Sequence, residues 1–117
     1  MMYSIFLVAL GGAAGSVLRF VVSRSLNFNF PSGTLLVNLS GCFLIGILWG
    51  LLARNVDEGK RLLLITGFCG GFTTFSSFTL EGMRMIMENR LLAFTLYTCI
   101  SVIGGLLLTY FGYKLTT

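Results

Sequence analysis

Histidine is absent from this chain of 117 residues, and aspartate and glutamate together number only four. These two shortages remove the imidazoles and clustered carboxylates on which most acid–base and metal chemistry depends. Charged residues make up 10% of the sequence, against about 25% in a typical soluble domain. With 56% hydrophobic residues and a mean hydropathy of +0.92, the chain falls in the membrane class. Cys42, Cys69 and Cys99 are too far apart for a CxxC-type metal site and read as small apolar thiols. The net charge of +4 comes from single residues that punctuate apolar segments, which does not point to nucleic acid. There is no Ser-His-Asp set and no nucleotide loop, so an enzyme is not expected. The first apolar run has no basic region before it, so a cleavable signal is not expected either.

What remains is an all-α membrane protein, expected to form one unit over residues 1–117. Four segments reach the ~20 residues that a bilayer core requires. They cover about residues 3–23, 33–53, 62–80 (with a possible extension to 88) and 91–113. The connections between them are too short to hold an extramembrane domain, so any function is carried out inside the membrane. Gly11 and Gly15, Gly46 and Gly50, and Gly67 and Gly71 each have the GxxxG spacing that lets membrane helices approach closely.

Arg54, Lys60, Arg61 and Lys114 fall on the side of the N-terminus, and Arg19, Arg24, Arg84 and Arg90 fall on the other. Lysine and arginine set membrane orientation, and here the two sides balance at four each. The balance reads either as insertion both ways up, and hence two copies packed antiparallel about a two-fold axis in the membrane plane, or as a coincidence of small numbers in which an intramembrane Arg19 should not count. A second copy would also cover polar faces that four helices alone hardly enclose.

The stretch Gly70-Gly71-Phe72-Thr73-Thr74-Phe75-Ser76-Ser77-Phe78 lies inside the third apolar segment. Its glycines loosen a helix, and its four hydroxyls sit where lipid is expected. Irregular backbone at membrane depth persists only where protein or a pore covers it. Phe75 and Phe78 point to one side, with Ser76 and Thr79 nearby. Such a row is either plain core or a set of electropositive ring edges beside hydroxyl donors, suited to a small anion. On the second span Thr34 and Asn38 share a face, and Asn38 either ties helices together or donates to an ion. Arg19 either has a function or snorkels to the interface. Arg84 and Glu88, four apart, have helical pairing distance. Glu81 belongs either with them in an interfacial rim or at a pore mouth. On the fourth span Tyr97, Ser101 and Gly105 repeat at intervals of four.

These residues resemble the Fluc/CrcB fluoride channels over essentially the whole chain. The likeness is carried by Gly11-Gly12-Ala13-Ala14-Gly15 with Arg19, by Gly33-Thr34-Leu35-Leu36-Val37-Asn38, and by Gly67 through Phe78. The resemblance implies an antiparallel dual-topology homodimer in the bacterial inner membrane, with two pores that export fluoride passively. It implies a structural sodium ion at the dimer centre, held by the backbone carbonyls of Gly70 and Thr73 where the third helix breaks over Gly70–Thr73. It places Phe75 and Phe78 beside the ion, with Asn38 donating its amide. Ser76, Ser77, Thr79, Tyr97 and Ser101 would form a polar track, and Thr34 and Arg19 would line or support the vestibule. Gly105 departs from the pattern, since relatives often carry serine there. A small multidrug exporter of similar length would need a carboxylate in its first span, and residues 3–23 contain none.

Dual insertion is tested by fusing the C-terminus to reporters active on only one side of the membrane. Signal is expected from both reporters, and signal from one alone refutes dual insertion.

Overall fold

The computed structural model describes residues 1–54 and 57–117. All four long segments are helical: α1 (Met2–Leu26), α2 (Ser32–Leu52), a third segment Glu58–Met87 and a fourth, Leu91–Thr116. Each is long and apolar enough to cross a bilayer. The molecule measures 48 Å along its longest axis, close to the ~40–45 Å of a bilayer with its headgroups. Large apolar side chains such as Phe6, Phe20, Leu92 and Leu106 are exposed around the outside, where hydrocarbon would surround them.

The third segment contains two helices. The first, α3 (residues 58–72), winds through wide π-helical turns over Arg61–Cys69 and ends in one α-turn, Gly70–Phe72. The second, α4, is Phe75–Met87. Between them Thr73 (φ −91°, ψ 157°) and Thr74 (φ −149°, ψ 116°) are extended. Gly70, expected to open this interruption, is itself helical at φ −62°, ψ −37°. The glycines do not unwind the helix, because helical conformation is open to glycine and packing holds Gly71 against Gly12 of α1. The last helix, α5 (Leu91–Thr116), includes a π-helical turn at Ile100–Gly104.

Glycine contacts organise the bundle into two tight helix pairs. In the first, Gly11 and Gly15 of α1 lie directly on the α3 backbone at Leu63 and Phe68. In the second, Gly46 of α2 abuts the Thr109 carbonyl of α5, and Gly112 of α5 abuts the Phe43 carbonyl of α2. The Thr109 hydroxyl donates to Cys42 O at 3.1 Å across this seam. Water does not drive helices together in lipid, so this close backbone contact and its dispersion attraction do so instead. Gly41 joins the pairs, since it lets the Thr73 methyl sit against the α2 backbone.

A side chain at Gly15 would collide with Phe68 O and lie 2.8 Å from Phe72 N, whereas a methyl at Gly12 meets nothing nearer than Gly67 O at 3.8 Å. Gly15→Val should therefore lower unfolding stability in mixed micelles by about 1–3 kcal/mol. Gly12→Ala should stay within about 0.5 kcal/mol of the parent. Equal effects of the two substitutions would contradict the packing described.

Candidate functional site

The extended pair Thr73–Thr74 is held by Asn38 of α2. The Thr74 N–H donates to Asn38 Oδ1 at 2.8 Å, and Asn38 Nδ2 donates to Thr74 O at 3.1 Å. One side-chain amide therefore pairs with both polar groups of one peptide residue, as a neighbouring strand would. The amide carries two N–H donors, so one remains for another acceptor. From the other side, Arg19 Nε donates to Gly71 O at 2.9 Å. Arg19 therefore does not stand free, because its guanidinium secures the last turn of α3.

These contacts redirect backbone donors. A continuous helix would pair Gly70 O with the Thr74 N–H and Thr73 O with the Ser77 N–H. Here the first N–H goes to Asn38, and the second goes to Thr74 Oγ1 at 3.2 Å, capping α4. The carbonyls of Gly70 and Thr73 are thus deprived of their helical donors. Gly70 is exposed, and a side chain added there would meet nothing within 4 Å. Among the described residues no group of three His, Cys, Asp or Glu side chains gathers to hold a metal.

Beyond the cap, α4 carries Phe75, Ser76, Ser77, Phe78 and Thr79. The rings of Phe75 and Phe78 lie 5.9 Å apart at 47°. Phe75 is 77% exposed, so one edge of this pair is bare. Ser77 Oγ accepts from the Thr74 hydroxyl at 3.2 Å, leaving its own proton available. Ser76 Oγ lies 3.5 Å from the same hydroxyl. The Thr79 hydroxyl donates to Ser76 O at 2.9 Å, so its proton is engaged on its own helix. Thr34, paired with Asn38 by spacing, is 1% exposed. Asn27 Nδ2 donates to the Thr34 hydroxyl and the Thr34 N–H donates to Asn27 Oδ1, both at 3.0 Å. Thr34 therefore anchors the α1–α2 connection and lines neither of the cavities described below.

On α5, Tyr97 is fully buried, and its hydroxyl has no hydrogen-bond partner. The Thr98 and Ser101 hydroxyls are likewise buried and unpartnered. Burying an unpaired hydroxyl costs about 1–3 kcal/mol, and these three lie on adjacent turns of α5. Tyr97 packs 5.2 Å from Phe78. Ser101 borders one cavity, and a second lies further along α4. One, of about 300 Å³, is bordered by Asn38, Thr73, Thr74, Phe75, Phe78 and Ser101. The other, of about 440 Å³, is bordered by Asn27, Glu81, Arg84, Glu88 and Arg90. Glu81 lies one turn beyond Phe78 on α4, so the two cavities follow one another along that helix.

Phe75, Phe78, Asn38 and Ser101 thus come together, with Ser76 and Ser77 on the adjoining turn and Tyr97 behind Phe78. Glu81 faces the second, polar cavity. Asn27, Phe30 and Thr98 were not singled out as site residues. Asn27, an amide shortly before a helix start where such side chains cap, and Thr98, a hydroxyl within an apolar span, each carried a sequence signal, and Phe30 did not.

Asn38→Leu removes both bonds to Thr74 and strands its N–H and carbonyl. We expect a loss of about 1–3 kcal/mol in unfolding stability and faster hydrogen exchange at the Thr74 amide. Unchanged exchange at Thr74 would show that Asn38 does not hold this backbone.

Residues 6–113 match the family described as CrcB-like protein, Camphor Resistance (CrcB). The chain is 48% identical to the fluoride-specific ion channel FluC of Azobacteroides pseudotrichonymphae, over 99% of this chain and 98% of that one. It is 47% identical to the FluC of Chlorobium phaeobacteroides, with 96% and 91% covered, and 50% identical to that of Rhizobium etli, with 86% of each covered. These relatives are named as ion channels, not as enzymes. With four apolar helices and a match across nearly its full length, the chain is a multi-pass membrane protein and belongs to the CrcB family.

Proposed function

We propose that this protein is a passive, fluoride-selective channel. Two copies pack antiparallel in the bacterial inner membrane, form two pores, and let fluoride leave the cytoplasm down its electrochemical gradient. The observation that carries this reading is the cavity that brings the Asn38 amide, the Phe75 and Phe78 rings and Ser101 together, with unpartnered hydroxyls on Ser101 and on Tyr97 behind Phe78. Asn38 keeps a spare N–H there, and among the described residues no fixed cation lines the cavity, so a small anion meets a donor without being trapped. The names of the relatives point the same way.

Fluoride is small and tightly hydrated, so a selective path must replace its water with close donors. The spare N–H of Asn38 and the hydroxyls of Ser77 and Ser101 border one cavity or its adjoining turn, and Tyr97 stands behind Phe78. The electropositive edges of Phe75 and Phe78 add weak attraction. None of these groups is charged, so binding stays weak enough for release, as conduction requires. The cavity with Glu81, Arg84 and Arg90 serves as the vestibule. The bare edge of Phe75 and the open space around Gly70 fit a face that a second copy covers.

In this reading a structural sodium ion lies between the copies. Its donors are the Gly70 and Thr73 carbonyls, and their chemistry fits: both are oxygen ligands that have lost their helical N–H donors, and oxygen suits a hard cation. When bound, the ion offsets the partial negative charge of these carbonyls and links the two interrupted helices. One chain supplies only two such oxygens, which favours a pair of copies.

The test is ion efflux from liposomes containing the purified protein. Fluoride release without chloride release is expected. Phe75→Ile and Phe78→Ile should each slow fluoride release by about tenfold or more, equivalent to about 1.4 kcal/mol, while the protein still dimerises. Well-folded protein that releases no fluoride ends the proposal. A scaffold protein would behave that way, but it would not need the unpartnered hydroxyls of α5.

A further inference from the structure

The connection between α1 and α2 is a short strap, residues 27–31, closed by an antiparallel bridge between Asn27 and Pro31. It is fastened from three directions. The Ser32 N–H donates to Phe30 O at 2.8 Å. The Asn27 side chain exchanges two hydrogen bonds with Thr34. From the start of α5, Arg90 Nη1 donates to Asn29 O at 2.7 Å. Phe28 is 81% exposed on this strap, whereas Phe30 is half-buried and meets Tyr97 edge-on, with centroids 5.5 Å apart at 82°.

Tyr97 continues the series to Phe78 at 5.2 Å, and Phe78 to Phe75 at 5.9 Å. Four rings therefore run without a gap from a surface strap to the cavity beside Asn38. The Tyr97 hydroxyl has no hydrogen-bond partner, so its ring is oriented by the rings on either side of it. Phe78 borders the cavity of about 300 Å³, and Glu81 borders that of about 440 Å³. Phe78 is thus part of the wall of the first cavity, and Tyr97, packed 5.2 Å behind it, backs that wall.

We propose that Phe30 is a positioning residue: held by the Arg90–Asn29 bond, it fixes the tilt of Tyr97 against Phe78 and so holds Phe78 where the cavity it borders stays too narrow for an anion larger than fluoride. This rests on the reading of the chain as a fluoride channel. A loose Tyr97 lets Phe78 move back and widens the cavity, and chloride gains more from the widening than fluoride does. General loss of structure would instead slow both ions together.

The test combines two measurements on full-length protein. The first is efflux of fluoride and of chloride from liposomes. The second is fluorine resonance of protein carrying 3-fluorotyrosine, in which Tyr97→Phe identifies the Tyr97 signal among the four tyrosines. Phe30→Leu should shift or broaden the Tyr97 signal and raise the chloride-to-fluoride efflux ratio about three- to tenfold, the scale of one lost aromatic pair. Arg90→Gln should move both readouts in the same direction by less, and it decides the matter if Phe30→Leu does not fold. Phe30→Tyr should keep both near the parent values. An unmoved Tyr97 signal in Phe30→Leu and Arg90→Gln overturns the positioning role, and a moved signal with an unchanged ratio overturns the link to selectivity. If the parent protein releases no fluoride, the channel reading and the selectivity role fall together, and the Tyr97 signal alone upholds or overturns the positioning.

Discussion

The pairing of one side-chain amide with one peptide residue, Asn38 with Thr74, is the constraint on which the centre of this molecule depends. Interrupted backbone inside a bilayer is costly because neither water nor a neighbouring strand is available to its N–H and carbonyl groups. Asn38 provides both partners from the facing helix at 2.8 and 3.1 Å. With that cost met, Thr73 and Thr74 can stay extended, α4 can restart on a Thr74 cap, and Phe75 and Phe78 can be aimed away from the course α3 would have kept. Arg19 performs the matching task on the preceding turn by holding Gly71 O.

Around this centre the bundle is built from two glycine-paired couples, α1 with α3 and α2 with α5. The division separates two duties. The first couple carries the helix that stops at Phe72, and the second carries Asn38 on one member and the unpartnered hydroxyls on the other. The α1–α2 strap and the turn before α5 tie the couples together at one end through Arg90 and Asn29. The polar cavity of about 440 Å³ opens at that end, beside the only carboxylates of α4 and its cap, Glu81 and Glu88.

Much of this was legible in the sequence because membrane constraints are blunt. Twenty apolar residues in a row can be counted, and the four segments fall close to where that count puts them. Gly11, Gly15, Gly46 and Gly67 announce close helix contact by spacing alone. The site was partly legible: Asn38, Phe75, Phe78 and Ser101 are polar or aromatic at spacings that a lipid-facing helix does not explain. The position of the interruption was not legible to the residue. Glycine propensity pointed at Gly70, whereas tertiary hydrogen bonds act at Thr73 and Thr74, and no local pattern records a partner 36 residues away. The same distance hid Arg19's target and the contact of Phe30 with Tyr97. The π-helical turns at Arg61–Cys69 and Ile100–Gly104 also lack a signature in composition.

The bare carbonyls of Gly70 and Thr73 have a consequence for how the protein matures. A single copy released into the bilayer carries these groups at membrane depth, where each unmatched peptide group costs several kcal/mol. That penalty is present before any surface packs against another, and it is relieved by whatever supplies positive charge or donors there. A newly inserted chain is therefore a high-energy species whose lifetime depends on how soon it finds a match. If the match is a second copy, as proposed above, cells that make very little of the protein would hold a larger share in this unmatched form.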